Sequence, residues 1–235
     1  MSRMCYHILW AVMIFIIAAV MDIPAAGGTF LGDKQAEAVK KGQAYARYAQ
    51  AVGKGRVSSA ERARRIEVYV QWACMIADND IHGYSQGAKN ATPLRPYTGS
   101  RDGPDFDCSS LVYYALAHAG FPIIEAWHEN PEYYALYRGR QAVGDADTIW
   151  PDLQKIGGFT RYRWEAVEDD LRRGDILCYP EDHVAIYIGN GRTVEARGVN
   201  NPRGGEWRTG DQGGEIDYYD AYGRYWTEVY RYTGN

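Results

Sequence analysis

Three side chains in this sequence could together make and break an acyl bond: Cys108, His183 and Glu195. Asp107-Cys108-Ser109-Ser110 precedes the apolar residues Leu111, Val112, Ala115 and Leu116. Asp107 is a good N-cap and places Cys108 in the first turn of a helix. Backbone N–H groups at such a start, with the helix dipole, favour negative charge, which predicts a depressed thiol pKa. The same groups can receive an oxyanion.

A nucleophilic cysteine needs a base. His118 lies near the far end of the helix that Cys108 starts, about ten residues or roughly 15 Å along the axis, and cannot reach. His7 sits at the extreme N-terminus, His82 in a Gly/Ser-rich loop and His128 in a mixed segment. His183 opens the apolar run VAIYI after the turn-like Pro180-Glu181-Asp182. A strand-end side chain facing a cleft is a natural base position.

The base needs an orienting partner, and strand parity tests Glu195. Gly189-Asn190-Gly191 is the turn between VAIYI and TVEAR. A three-residue loop with Gly191 left-handed pairs Ile188 with Arg192, sets Ala185 opposite Glu195, and puts residues 183, 185 and 195 on one face. A two-residue Asn-Gly turn puts Glu195 on the other face. The catalytic reading therefore requires the longer loop, and Glu195 would then fix the imidazole tautomer and stabilise its cation.

The elements that hold these residues read as helices first and strands after. Ser58 sits three residues before Glu61, a capping-box pattern that opens a helix to about Ala77. Ile66, Val70, Cys74 and Met75 predict its apolar stripe, with Cys74 a packing residue. Residues 82–106 are loop-like, and a helix runs from Cys108 to about Ala119, closed by Gly120. Residues 121–165 are mixed. DILCY (175–179), VAIYIG (184–189), TVEAR (193–197) and Trp226–Tyr232 predict strands. The fold class is α+β, helices packed on an antiparallel sheet.

The chain has 235 residues, 46% of them hydrophobic, enough to build a core and exclude a disordered tail protein. Its net charge of −4 lacks the basic footprint of a nucleic-acid binder. Four cysteines are too few for a disulfide scaffold. No paired C-x-x-C or H-E-x-x-H is present, so no metal or other cofactor is expected.

Ile8–Met21 is fourteen apolar residues long, short of a membrane span, with Arg3 before it and Ala25, Ala26 and Gly27 after. Residues 1–26 are read as a signal peptide, with an uncleaved anchor as the alternative. The protein is then secreted or held in the cell envelope. Cleavage would leave Cys74, Cys108 and Cys178, an odd count, so at least one thiol cannot pair within the chain. A Cys74–Cys178 bridge is the alternative to a packing role for Cys178. Residues 33–65 hold nine Lys/Arg against three acids, while 66–235 carries −10. Residues 27–57 are read as a basic helical arm, either a solvated linker or a contact to an anionic wall or membrane surface. The globular domain is 58–235.

The ordered motifs DCSSLVYYALAHAGF, RRGDILCY and HVAIYIGNGRTVEA resemble the NlpC-type cysteine peptidases, which have a papain-like fold. HGYSQ (82–86), GPDFDCSS (103–110) and GDQGGEI (210–216) are similar to motifs of the phage-endolysin-like branch. The resemblance covers roughly residues 66–235. It implies Cys108 as nucleophile, His183 as base and Glu195 as third member, at a position where many relatives carry histidine. It implies that Asp107 and Ser109 line the substrate site. Tyr84 and Gln86 line it too or help the oxyanion, although about twenty residues separate Gln86 from Cys108. Asp211 and Gln212 are cleft residues or a turn. The resemblance and the export signal together imply peptidoglycan as substrate, cut in the stem peptide at a D-γ-glutamyl–diamino acid bond. The lactyl amide between muramic acid and L-alanine is the alternative bond. An acyltransferase with the same dyad and an inactive wall-binding module are the rival classes. The enzyme is read as a monomer.

Overall fold

The computed structural model describes residues 57–87, 101–131, 142–180, 182–198, 210–211 and 213–235. The leader and most of the arm, residues 1–56, lie outside them, as does Gln212.

The first helix, α1, is Ser59–Ala77, and Ser58 caps it by accepting from the Glu61 N–H at 3.1 Å. The reciprocal half of a capping box is replaced: the Glu61 carboxylate takes Arg64 and Arg65 instead. The buried stripe is Tyr69, Val70, Ala73 and Ile76 with the stem of Arg65, and Met75 is 55% exposed. Of the expected stripe, Val70 is buried, Ile66 and Cys74 pack partly buried against the core, and Met75 faces solvent, with Ile76 buried in its stead.

Helix α2 is Cys108–His118, with the expected Asp107 cap and Gly120 following at φ 83°. Among the described residues two short helices come next, α3 (Ile123–His128) and α4 (Ile149–Ile156). Neither has a side-chain cap.

Six strands follow: β1 (Phe159–Arg163), β2 (Ile176–Tyr179), β3 (His183–Gly189), β4 (Arg192–Ala196), β5 (Ile216–Asp220) and β6 (Glu228–Tyr232). They form one antiparallel sheet in the order β1-β6-β2-β3-β4-β5. Alternation along the strands divides the core in two. Ile176, Cys178, Val184, Ile186, Val194 and Tyr230 face the helices. Leu177, Ala185, Tyr187 and Val229 face the other way, under Val167, Ala221 and Trp226.

Two features tie the layers together. Gly174, at φ 93°, lets Tyr69 of α1 come close enough to donate to its carbonyl at 2.5 Å; an added Cβ would overlap the phenol. The Val57 N–H donates to the Gly234 carbonyl at 3.0 Å, so the start of the helical layer is pinned to the C-terminal end.

The β3–β4 hairpin differs from expectation in an instructive way. Gly189 pairs directly with Arg192, leaving a two-residue Asn190-Gly191 turn with φ 54° and 71°. Yet Ile186–Val194 and Tyr187–Thr193 keep the register that the longer loop would give. A bulge between Tyr187 and Gly189 absorbs the extra residue and restores the parity. The requirement on Glu195 is met by a bulge instead of a loop.

Candidate active site

The start of α2 is built around Asp107. Its Oδ1 accepts from the Ser110 N–H at 2.7 Å, and the Ser110 hydroxyl accepts from the Asp107 N–H at 2.9 Å, closing a capping box. Behind it lies Arg101, buried, whose Nε is 2.8 Å from Asp107 Oδ2. Arg101 Nη2 also donates to Ser109 Oγ (2.8 Å) and to the Gly144 carbonyl (3.0 Å), and sits 3.4 Å from Asp145 Oδ1. Asp107 and Ser109 are thus buried and engaged with Arg101 in this structure. Sequence reasoning missed Arg101, since nothing in a Gly/Asp-rich loop marks one arginine as a core residue.

This brace presents Cys108, half-buried, at the first turn. Its sulfur is within hydrogen-bond reach of the backbone N–H groups of Val184 and Ser109. Val184 follows His183, so the start of α2 packs on β3 one residue along the strand from the histidine. The expected depression of the thiol pKa is corrected here. Burial pushes the Cys108 thiol well above the usual cysteine range, and the adjacent Asp107 carboxylate adds to it. The two N–H groups and the Arg101 charge pull the other way without overcoming this. The helix start is a favourable place for an anion, but the dry surroundings and the capping carboxylate outweigh it.

His183 is 4% exposed and lies on the sheet face turned away from α2's core. Its Nε2 is 2.8 Å from Glu195 Oε2, which leaves Nδ1 as the nitrogen for a second partner. Trp226 stacks on the ring, with centroids 5.8 Å apart and planes 25° from parallel. Glu195 is 1% exposed. Burial alone would raise its carboxyl, but the hydrogen bond and charge of His183, the Thr193 hydroxyl and the Arg197 charge hold it below the usual carboxylate range. Thr193 Oγ1 donates to Glu195 Oε1 at 2.6 Å. Arg224 Nε and Arg197 Nη1 stand 3.8 and 4.0 Å from Oε2. Thr193 was findable: it precedes Glu195 by two residues on one strand and shares its face. Trp226 and Arg224 come from the β5–β6 connection and carry no local signal.

The twenty-residue gap before Cys108 is closed by pairing. Tyr84 bridges Phe106 in parallel, with the Ser85 N–H donating to the Phe106 carbonyl and the Phe106 N–H to the Gly83 carbonyl, both at 3.0 Å. That brings residues 83–85 alongside Phe106, two positions from Cys108. Gln86 Nε2 donates to the Tyr84 hydroxyl at 2.7 Å. Two buried carboxylates fix the segment: Asp105 Oδ1 accepts from the Gly83 and Gly210 N–H groups at 2.9 Å each, and Glu215 Oε2 accepts from Tyr84 N–H at 3.1 Å. Asp211 forms a turn, accepting from the Gly213 and Glu215 N–H groups at 2.6 and 3.1 Å. Cys74 and Cys178 are both free thiols, so the alternative bridge is absent.

Among the described residues no three His, Cys, Asp or Glu side chains are grouped to hold a metal ion. What the arrangement supplies is a buried imidazole that a buried carboxylate orients.

The NlpC/P60 family model matches residues 83–233. No curated protein matches the chain. Similar solved structures include a hypothetical invasion protein of Mycobacterium tuberculosis, 22% identical, covering 77% of this chain and 68% of that one, with a TM-score of 0.42. The peptidoglycan hydrolase RipB of the same organism is 19% identical over 90% of this chain and 93% of that one, with a TM-score of 0.43. The P60 domain of an antigen from M. avium subspecies paratuberculosis is 17% identical over 74% and 98%, with a TM-score of 0.39.

Proposed function

The chain belongs to the NlpC/P60 family, and on that premise we propose that it is an exported, cysteine-type peptidoglycan hydrolase. The observation that carries the reading is the buried His183–Glu195 pair on β3 and β4, one residue from the Val184 N–H that meets the Cys108 thiol.

His183 takes the thiol proton as the sulfur attacks the scissile carbonyl, which suits a thiol that burial holds protonated at rest. Glu195 stabilises the imidazolium that results. The Cys108 sulfur bonds to the carbonyl carbon, and the oxygen gains the charge. The backbone N–H groups of Cys108 and Ser109 at the start of α2 stabilise that oxyanion, those of Ser110 and Leu111 already serving Asp107. The C–N bond then breaks, His183 gives its proton to the leaving amine, and a thioester on Cys108 remains. Water loses a proton to His183 and attacks the thioester, releasing a carboxylic acid and the thiol.

The bond we assign is the D-γ-glutamyl–diamino acid link of the stem peptide; the lactyl amide is the second reading. Tyr84 and Gln86, brought beside Phe106, form the substrate side in this reading, and Asp211 and Gln212 are assigned to it from the sequence. The leader at 1–26 would deliver the domain of residues 58–235 across the membrane, with the basic stretch 27–57 as its link to an anionic surface. To test it, purified walls are digested with residues 27–235 and the fragments identified by mass spectrometry. New amino termini on the diamino acid support the stem-peptide bond; free L-alanine termini point to the lactyl amide; unchanged walls refute the proposal.

A further inference from the structure

Glu195 reaches His183 through three rotatable torsions, and the last of them is broad for a carboxylate. One hydrogen bond, from the imidazole to Oε2, does not fix the plane of the group. The second oxygen is taken by Thr193, whose hydroxyl donates to Oε1 at 2.6 Å. Thr193 is 0% exposed, and its other acceptor, the Tyr219 carbonyl, is further away at 3.4 Å. Arg224 and Arg197 approach Oε2 at 3.8 and 4.0 Å and add charge without direction.

We propose that Thr193 is a positioning residue for the reaction of Cys108, its hydroxyl holding the Glu195 carboxylate so that Oε2 meets His183 Nε2. This rests on the hydrolase reading above. Thr193 touches no reacting atom and acts through Glu195 alone. A mere packing role predicts the opposite pattern of substitutions. Thr193→Val keeps the branched shape and removes the hydroxyl, whereas Thr193→Ser keeps the hydroxyl and removes the methyl.

The test measures kcat, KM and urea stability for both variants on solubilised wall fragments, and follows the His183 ring N–H by NMR. Positioning predicts that Thr193→Val lowers kcat on the order of tenfold with KM unchanged. It also predicts that Thr193→Ser retains kcat even where it is less stable, and that only Val displaces or broadens the ring N–H signal. In the Glu195→Gln background the Val substitution then adds little. Wild-type kcat in Thr193→Val, equal damage in Thr193→Ser, or an undiminished effect in the Glu195→Gln background overturns the proposal. A wild type no more active than Cys108→Ala counts against the hydrolase reading instead. In that event the NMR comparison, which needs no substrate, decides the positioning on its own.

Discussion

Removing the guanidinium of Arg101 should damage the helix start that carries Cys108. Arg101→Met keeps most of the stem and deletes the charge. Asp107 is buried and would retain its contacts from Ser110 N–H and Ser109, but lose its only strong counter-charge at 2.8 Å. Breaking a buried pair from one side costs about 3–5 kcal/mol, because an uncompensated charge remains. Asp107→Asn keeps a cap acceptor and leaves Arg101 with Asp145 at 3.4 Å and two carbonyls, so about 2–3 kcal/mol is expected. The double variant has neither charge, and should lose about 3 kcal/mol instead of the sum of the two. Urea unfolding followed by tryptophan fluorescence measures all three. Costs that add to within about 0.5 kcal/mol, or an Arg101→Met protein less than about 1 kcal/mol below wild type, would show that Arg101 is not the counter-charge of Asp107.

Three further outcomes follow from other buried groups. Asp152 receives the Tyr113 hydroxyl at 2.6 Å, and burial pushes its carboxyl up to about 6. A carboxyl raised in the folded state makes the protein lose stability as pH rises from the unfolded value near 4 to about 6, by roughly 3 kcal/mol in all. Asp152→Asn removes that loss but places an amide where Oδ1 has no hydrogen-bond partner; it should be about 1 kcal/mol more stable at pH 7 and about 2 less stable at pH 4, and pH-independent melting shifts would contradict this. Gly83→Ala would drive a Cβ into the Gly210 carbonyl and towards Glu215, so it should lower both activity and melting temperature, whereas a wild-type melting curve would exclude the packing around Asp105. Glu195→Gln keeps an acceptor for His183 but not the charge; kcat should fall on the order of 10⁴-fold, and an unchanged kcat removes Glu195 from the mechanism.

The placement of the three candidate residues was legible because each sits in a local pattern: a capped apolar helix for Cys108, an apolar strand start for His183, a matching parity for Glu195. Parity survived an error in the turn, since the bulge at the end of β3 replaced the longer loop. The two strands not foreseen, β1 and β5, are the edges of the sheet. Edge strands carry charge against unwanted pairing, and Arg161, Arg163, Asp217 and Asp220 mask their period. Helices α3 and α4 have no side-chain caps to announce them. Trp226 and Arg224 reach the site from a loop distant in sequence, where only the folded chain defines a neighbour, and Arg101, six residues before Asp107, sits in a loop with no period to mark it. The thiol's raised pKa was likewise invisible, because burial is a property of the packed site.

Whether Cys108 carries the acyl group is read from acid-quenched mass spectrometry of the protein mixed with solubilised stem-peptide fragments. A thioester adduct should map to Cys108, have the mass of the acyl half of the cleaved bond, and be absent together with all product in Cys108→Ala. Wall fragments released by Cys108→Ala at the wild-type rate would contradict it.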